Sequence, residues 1–292
     1  MIIAVTGAEG QLARDIVAVM ASRHHVLAWN RRQLDVTDLE AIHTIVMKHR
    51  PDVIIHAGAF TEVDRAEDDV RAAYAVNAVG TGYLAETANR IDAKFIYIST
   101  DYVFDGLKGT PYTEEDQTNP LNVYGASKRL GEQFTERICR KHFIIRTAWL
   151  FGSQGRNFVK RICSLPSSHE CLQAATDLIG SPTYTVDLAR FMACLIETER
   201  YGTYHVVNEG YCSKYQFALE ILRYLNQEPS FIVPVRYDQL QLMAKRPPNS
   251  SLSQQAIKNN GLEPLRDWRS ALQAFLKEEA TAVDELKEDS RK

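Results

Sequence analysis

The stretch IIAVTGAEGQLA, residues 2–13, runs from a short apolar segment through a loop with two glycines into a helical pattern. A strand, a glycine turn and a helix in this order open a dinucleotide-binding α/β fold. Gly7 allows the tight turn, Gly10 lets the backbone approach a pyrophosphate, and the small Ala13 lets helix and strand pack closely. The spacing G-x-x-G-x-x-A differs from G-x-G-x-x-G, so a glycine turn that serves only the fold is the alternative.

Short apolar runs continue to alternate with helical-period segments through the first half of the chain, as in β-α units around a parallel sheet. The runs are apolar on both sides, which is typical of buried parallel strands. The sequence therefore predicts an α/β fold with a Rossmann-type doubly wound parallel sheet. The predicted strands are Ile2–Thr6, His25–Trp29, Val53–Ala57, Phe95–Ser99 and Phe143–Thr147. The predicted helices are about Gln11–Ala21, Leu39–His49, Arg71–Arg90 and Val123–Arg140.

The second half of the chain is less regular, because seven prolines interrupt it after Gly152. We expect three parts: a Rossmann domain at 1–150, a smaller C-terminal substrate-binding lobe at 151–280, and a charged tail at 281–292. One strand of the lobe is expected to return to the sheet, and the tail to fray from a helix into disorder. The lobe's predicted elements are helices at Val186–Ile196, Lys214–Tyr224 and Trp268–Lys277 and strands at Tyr204–Val207 and Phe231–Val235.

The composition excludes several classes of protein. Among 292 residues, 34 Lys and Arg stand against 37 Asp and Glu, so no basic surplus exists for binding nucleic acid. No stretch approaches the ~20 consecutive apolar residues of a membrane span. The five cysteines are an odd number without a C-x-x-C pair, which argues against a disulfide framework or a zinc site. We expect a cytoplasmic protein that binds neither nucleic acid nor membrane.

The segment after the second predicted strand decides the choice of cofactor. A carboxylate there would bind the adenosine ribose of NAD, whereas arginine accommodates the 2′-phosphate of NADP. Asn30, Arg31 and Arg32 stand at this place, followed by Asp35 and Val36, which are expected to close the adenine pocket. NADPH is therefore the predicted cofactor and NADH the alternative. The alternative is that Arg31 and Arg32 belong to a solvent-exposed loop and do not contact the cofactor.

A second cluster of residues suits proton transfer. Tyr124 and Lys128 are spaced i, i+4 at the start of a predicted helix, so they share one face about 6 Å apart. The ammonium is expected to lower the pKa of the phenol, which could then donate a proton to a developing alkoxide. Thr100 ends a predicted strand at the sheet edge where ligands bind. Its hydroxyl could act on the same substrate oxygen, and a simple strand-end cap is the alternative.

Gly7-x-x-Gly10, Thr100, Tyr124 and Lys128 together resemble the extended short-chain dehydrogenase/reductase superfamily. Within it, several strings are similar to the dTDP-4-dehydrorhamnose reductase family. The most specific is STDYVFDG at 99–106. The others are GQL at 10–12, AFTEVDRAE at 59–67, PLNVYG at 120–125, RTAW at 146–149, NF at 157–158, GSPT at 180–183, RP at 246–247 and DWR at 267–269. The resemblance covers nearly the whole chain.

This resemblance implies an NADPH-dependent oxidoreductase that reduces the 4-keto group of dTDP-4-dehydro-L-rhamnose to give dTDP-L-rhamnose for polysaccharide synthesis. Hydride would come from nicotinamide C4 and the proton from Tyr124. Lys128 would also hold the nicotinamide ribose, and Thr100 would tune the substrate oxygen. The further residues expected to line the cofactor are Gln11, Leu12, Ala57, Gly58, Ala59, Phe60, Thr61 and Asn77.

Binding of the dTDP-sugar needs cationic or amide donors for the diphosphate, and Arg246 and Asn157 are the candidates. Trp149 is expected to pack against the sugar. Purely structural roles are the alternatives: core positions for Trp149 and Phe104, a helix cap for Asp64 and a surface charge for Arg246. The remaining candidates at the substrate are Asp64, Asp101 and Phe104.

Some members of the family pair through Mg²⁺ held by carboxylates at a subunit interface. Asp15 and Asp187 supply acids near those places, but Val186 interrupts the expected acidic pair. No metal site is therefore predicted, a role for Mg²⁺ stays open, and a monomer is favoured over a homodimer.

Two other functions fit the same scaffold. The first is a nucleotide-sugar dehydratase or epimerase, which regenerates its cofactor in each cycle. Dehydratases of that kind resemble Thr-Asp-Glu after the strand, whereas Tyr102 follows Asp101 here. The second is a non-catalytic regulatory subunit like that of methionine adenosyltransferase, which resembles these reductases and acts by binding a partner.

Overall fold

The computed structural model describes residues 1–168 and 170–289, with side chains as far as Thr281. It contains a central sheet and three small strand pairs. The strands are β1 (Ile2–Thr6), β2 (His25–Trp29), β3 (Val53–His56), β4 (Lys94–Thr100), β5 (His142–Thr147), β6 (Leu150–Phe151), β7 (Leu172–Ala175), β8 (Ile179–Gly180), β9 (Thr183–Tyr184), β10 (Gly202–His205), β11 (Cys212–Ser213) and β12 (Ile232–Val235).

The central sheet has six strands in the order β10-β5-β4-β3-β1-β2, and every neighbouring pair in it is parallel. The prediction of a Rossmann-type parallel sheet is confirmed. The chain builds from β1 to β2 on one side and then crosses to β3 on the other. This reversal between β1 and β3 opens a crevice at the carboxyl ends of the strands, where ligands bind in such sheets.

Eleven helices are present in the described residues, and helices cover both faces of the sheet. They are α1 (Gln11–Met20), α2 (Leu39–His49), α3 (Val63–Asp68), α4 (Val70–Tyr74), α5 (Thr81–Arg90), α6 (Val123–Ile138), α7 (Phe158–Ser168), α8 (Thr185–Leu195), α9 (Lys214–Tyr224), α10 (Gln255–Asn259) and α11 (Trp268–Asp289). None of the described helices is long and apolar enough to cross a membrane.

Alternate side chains of each central strand enter separate cores. Ile3 packs with Ile16 of α1 and Leu188 of α8, whereas its neighbour Ala4 packs with Ile42 of α2 on the opposite face. All five of these side chains are fully buried. The central strands are largely apolar because both faces of the sheet are covered.

The predicted helical stretch at Arg71–Arg90 is present, but it is not α-helical throughout. The chain instead forms α4, a π-helical segment at Ala75–Gly80 and α5. The carbonyl of Asn77 accepts hydrogen bonds from the Tyr97 hydroxyl and the Thr81 hydroxyl, both at 2.8 Å. Side chains that compete for a helical carbonyl stabilise such a bulge, and π-bulges are frequent beside functional sites.

The second half of the chain builds a separate apolar core and also supplies β10, the edge strand of the sheet. Phe151, Tyr184, Phe217 and Phe275 meet in this core at ring-centroid distances of 5.6–5.8 Å. The last helix continues to Asp289. The rest of the tail for which disorder was expected, 290–292, lies outside the described residues.

Candidate functional site

A cavity of about 800 Å³ opens at the carboxyl ends of β1, β3, β4 and β5, next to the beginnings of α1 and α6. Most residues that the sequence marks out lie on its wall. They are Gly7, Gly10, Gln11, Leu12, Arg31, Asp35, Val36, Ala57, Gly58, Ala59, Phe60, Thr61, Thr100, Asp101, Tyr124, Lys128 and Trp149. The others lie away from the wall: Asn30, Arg32, Asp64, Asn77, Phe104, Asn157 and Arg246.

The loop after β1 can accept a phosphate group. Gly7 has φ +68°, and a Cβ on it would lie 2.5 Å from the Cα of Gly58, so only glycine fits where β1 and β3 converge. Gly10 caps α1, and no side chain caps the N–H groups of the first turn. Uncapped N–H groups and the positive end of the helix dipole favour an anion at this point. The residues therefore fit the pyrophosphate of a dinucleotide.

At the far end of the cavity, Arg31 is the arginine that reaches the wall. Its side chain is 84% exposed, and its Nε lies 3.6 Å from Asp35 Oδ2. Asn30 is occupied by the turn, because its Oδ1 accepts the N–H groups of Arg32 and Gln33 at 3.0 Å. Of the two arginines predicted at this place, Arg31 thus lines the cavity and Arg32 does not, whereas Arg65 of α3 lines the cavity as well.

Thr100 and Tyr124 both lie on the cavity wall, and the Thr100 hydroxyl is near enough to lower the pKa of the Tyr124 phenol. Asn122 caps α6 by accepting the N–H of Gly125 at 2.7 Å. A Cβ on Gly125 would lie 2.1 Å from the carbonyl oxygen of Tyr102, so this glycine lets α6 approach the end of β4. The two elements that carry Thr100 and Tyr124 are in this way packed backbone against backbone.

Burial has the largest effect on the pKa values of Tyr124 and Lys128, the two cavity residues of α6. It raises the pKa of the Tyr124 phenol to about 12, against the lowering effect of the Thr100 hydrogen bond. It lowers the pKa of the Lys128 ammonium to about 7, while the negative charge of Glu132 opposes the change. The expected lowering of the Tyr124 pKa by Lys128 is therefore not found, because both groups are removed from water and burial disfavours each charged form.

The structure contains a buried ion pair, Glu132–Arg146, that the sequence analysis did not predict. Glu132, one turn beyond Lys128, is fully buried and binds Arg146 of β5 through two contacts of 2.8 and 2.9 Å. Ser99 donates to the same carboxylate at 2.6 Å, and Arg129 contacts it at 3.0 Å. The signal for this pair is a charged residue inside the otherwise apolar run of β5, since a buried charge needs a partner.

Asn77 supports the cavity from behind. Its side chain accepts the N–H of Phe60 at 2.8 Å and donates to the Phe60 carbonyl at 3.0 Å. It also donates to the Ser127 hydroxyl at 3.0 Å. Asn77 is fully buried, so it fixes the loop after β3 against α6 and does not itself reach the cavity.

Arg246 and Asp64, both predicted at the substrate, bind each other. Their bidentate ion pair has distances of 2.5 and 2.6 Å. The Arg246 hydrogen bonds lower the pKa of Asp64 to about 2. Ala244 also donates its N–H to this carboxylate at 3.0 Å, so the pair ties the segment 241–248 to α3. A guanidinium committed to a carboxylate is a poor donor for a diphosphate.

The structure also keeps Phe104 and Asn157 from the cavity. Phe104 is fully buried and stacks on Tyr112 at a centroid distance of 4.1 Å. Asn157 donates to the side-chain oxygen of Gln11 at 2.9 Å and to the carbonyl of Gly152 at 2.8 Å. Phe104 is therefore a core residue, and Asn157 joins the phosphate loop to the segment after β6.

The acids considered for Mg²⁺ do not fit a metal site. Asp187 already accepts two contacts from Arg266 and one from Asn208, at 2.8–2.9 Å. Asp15 is a single buried carboxylate whose pKa burial raises. Within residues 1–168 and 170–281, no cluster of three or more His, Cys, Asp or Glu side chains could hold a metal ion.

Comparisons with known proteins agree with this geometry. The family model described as "RmlD substrate binding domain" matches residues 1–281. The chain is 37% identical over 281 residues to the spore coat polysaccharide biosynthesis protein SpsK of Bacillus subtilis, covering 96% of this chain and 98% of that protein. It is 38% identical over 283 residues to a dTDP-4-dehydrorhamnose reductase of Aggregatibacter actinomycetemcomitans, covering 92% and 96%. The crystal structure of a dTDP-4-dehydrorhamnose reductase from Bacillus anthracis in complex with NADP matches with a TM-score of 0.93 and 38% identity, covering 95% of this chain and 99% of that one.

Proposed function

The chain belongs to the dTDP-4-dehydrorhamnose reductase family, and from this premise we propose that it uses NADPH to reduce the 4-keto group of dTDP-4-dehydro-L-rhamnose to dTDP-L-rhamnose. The observation that carries the proposal is that Thr100 and Tyr124 line the same cavity as an uncapped helix N-terminus. A proton donor and a dinucleotide cradle thus share one crevice. These are the two parts that a keto reduction needs.

The cavity residues fit NADPH, which supplies hydride from nicotinamide C4 when bound. The loop from Gly7 to Gly10 would hold the pyrophosphate with its backbone N–H groups. Arg31 would pair with the 2′-phosphate at the adenosine end. Lys128 lies on the wall near Tyr124 and would bind the nicotinamide ribose.

In the proton-transfer step, Tyr124 would donate its hydroxyl proton to the sugar O4 as negative charge develops there. A phenol with a pKa of about 12 is fully protonated at neutral pH, so it is present in the donor form. Thr100 would bind the same oxygen and align it with Tyr124. Lys128 would stabilise the phenolate after transfer, because an ammonium favours a nearby anion.

We place the sugar-nucleotide between Trp149 and the Thr100–Tyr124 pair. Trp149 forms part of the wall beyond the end of β5 and offers an aromatic surface. Asp101 lies beside Thr100 on the same wall and accepts its hydroxyl proton at 3.0 Å. Aromatic walls with a few fixed polar groups are typical of sites for small ligands.

Oxidation of NADPH by the purified protein, with dTDP-4-dehydro-L-rhamnose and with other keto-sugar nucleotides, tests this function. We expect one NADPH to be consumed for each keto group reduced, with the rhamnose precursor giving the largest kcat/KM. Product formation without net loss of NADPH would instead indicate a dehydratase or epimerase. A protein that binds NADPH and a partner protein but reduces none of these substrates would be a regulatory subunit.

The cofactor preference gives a further prediction. Arg31→Ala should raise the KM for NADPH by about 10-fold, because a charge-assisted contact to the 2′-phosphate is lost. The KM for NADH should change by less than about 2-fold, since NADH carries no such phosphate. Arg23→Ala, at an exposed position after α1, is the matched control and should alter neither value. An unchanged ratio of the two KM values in Arg31→Ala would show that the phosphate binds elsewhere.

A further inference from the structure

Trp149 has a backbone conformation that must be held in place from outside. Its φ is +44°, in the left-handed region that a bulky side chain rarely adopts. Such conformations persist only where the surrounding structure enforces them, and they concentrate at binding sites. The carbonyl of Trp149 accepts the N–H of Thr183 at 3.2 Å, which fixes its backbone to β9.

One edge of the indole of Trp149 lies in a slot made by a glycine. A Cβ on Gly180 would be 2.5 Å from Cε2 and 2.8 Å from Nε1 of Trp149. Any side chain at position 180 would therefore displace the indole. Gly180 belongs to β8, which pairs antiparallel with β11, so Ile179 stands opposite Ser213.

This strand pair also places Lys214, the residue after β11, on the ring of Trp149. The Nζ of Lys214 lies 3.5 Å from the centroid of the indole and 4.8 Å from the centroid of Phe158. An ammonium over an indole face is attracted by the ring quadrupole, and the attraction strengthens when water is excluded. The indole is thus held by Gly180 at its edge and by Lys214 on its face.

The position of Lys214 is unusual for a lysine, because its ammonium lies over the aromatic rings of Trp149 and Phe158. No ion pair in the described part of the chain includes it, and burial lowers the pKa of its ammonium to about 7. The negative charge of Asp101, beside Thr100, favours the ammonium form. Lys214 is half-buried, and removing an ammonium even partly from water without an ion pair is costly, so a methionine would fill the same space at lower cost.

We propose that Lys214 is a positioning residue for the substrate, because its ammonium holds the indole of Trp149 as the wall against which the sugar-nucleotide packs. The inference rests on the proposed function, which places the sugar-nucleotide at Trp149. Lys214 itself is not part of the cavity wall, so it acts through the indole.

Steady-state kinetics of Lys214→Met test the inference. We expect the KM for the keto-sugar nucleotide to rise by about 10-fold, with kcat and the KM for NADPH within about 2-fold of wild type, since ground-state binding alone is lost. Lys214→Arg keeps a cation on the ring and should restore most of the affinity. Lys48→Met, at an exposed position on α2, is the matched control. If the methionine variant misfolds, Lys214→Gln removes the charge in its place.

A second measurement separates this role from general damage to the lobe. In a Trp149→Leu background, Lys214→Met should change the KM for the keto-sugar nucleotide by less than about 2-fold, because the contact is already lost. An unchanged KM in Lys214→Met, or an equal rise in both backgrounds, would overturn the inference while the wild type still turns over. A wild type that reduces no keto-sugar nucleotide would overturn the proposed function, and the inference with it.

Discussion

Replacing Tyr124 with phenylalanine is expected to lower kcat by at least ~10²-fold, the scale of general acid catalysis. The substitution removes the hydroxyl that we propose protonates the sugar oxygen and leaves the ring that packs edge-on against Tyr102 at 5.9 Å. Binding of NADPH should be largely retained, because the pyrophosphate site at Gly7 and Gly10 is untouched. The loss should therefore fall on kcat far more than on either KM.

Tyr83→Phe on α5 is the matched control for this change, since it removes a tyrosine hydroxyl from a residue that is not part of the cavity wall. It should leave kcat within about 2-fold of wild type. A Tyr124→Phe enzyme with near-normal kcat would refute the assignment of Tyr124 as the proton donor. A proportional loss of NADPH binding would show that the substitution disturbs the cofactor site instead.

Replacing Glu132 with alanine is expected to lower the free energy of unfolding by about 3–5 kcal/mol, the cost of breaking a buried ion pair from one side. Arg146 would then keep a buried charge whose main partner is gone, and Ser99 would lose its acceptor at 2.6 Å. Urea denaturation at neutral pH measures the change. Glu132→Gln keeps one acceptor oxygen, which can serve Ser99 and the Arg146 Nε, and should cost less.

Glu86→Ala is the matched control, because Glu86 also pairs within a helix but lies at the surface with Arg90. It should change the free energy of unfolding by at most about 1 kcal/mol.

The stability that Glu132 contributes also depends on pH. Burial alone would raise the pKa of Glu132, yet Arg146 and Ser99 lower it below the ordinary value. The stability contributed by Glu132 is thus present above the unfolded-state pKa of about 4.3 and is lost as the pH falls below it. A loss below about 1 kcal/mol at neutral pH would contradict the view that this pair anchors α6 to the sheet.

Much of the fold follows from local patterns in the sequence. The bounds of β1 and β2 agree with the prediction residue for residue, because each is a short, mostly apolar run bounded by polar or turn-forming residues. The π-helix at Ala75–Gly80 was missed for the opposite reason. It depends on the hydroxyl of Tyr97, which is 20 residues away in sequence from the Asn77 carbonyl it binds, and no helical period reveals such a contact.

In the candidate site, too, features formed by the local backbone could be predicted from the sequence, whereas side-chain partners from distant segments could not. Gly7 and Gly10 could be placed from the sequence because the backbone itself forms the cradle. The partner of Arg246 could not be predicted from the sequence. Its ion pair with Asp64 forms only because the segment 241–248 packs against α3. Lys214 carried no signal in its local sequence, because only the pairing of two short strands brings it to Trp149.

The most direct test of the whole account is to follow the hydride. The purified protein would be given dTDP-4-dehydro-L-rhamnose and NADPH that carries two deuterium atoms at nicotinamide C4, and the product would be examined by NMR and mass spectrometry. The account predicts dTDP-L-rhamnose with one deuterium at C4 of the sugar for every NADPH oxidised. An unlabelled product, or deuterium at any other carbon, would contradict it.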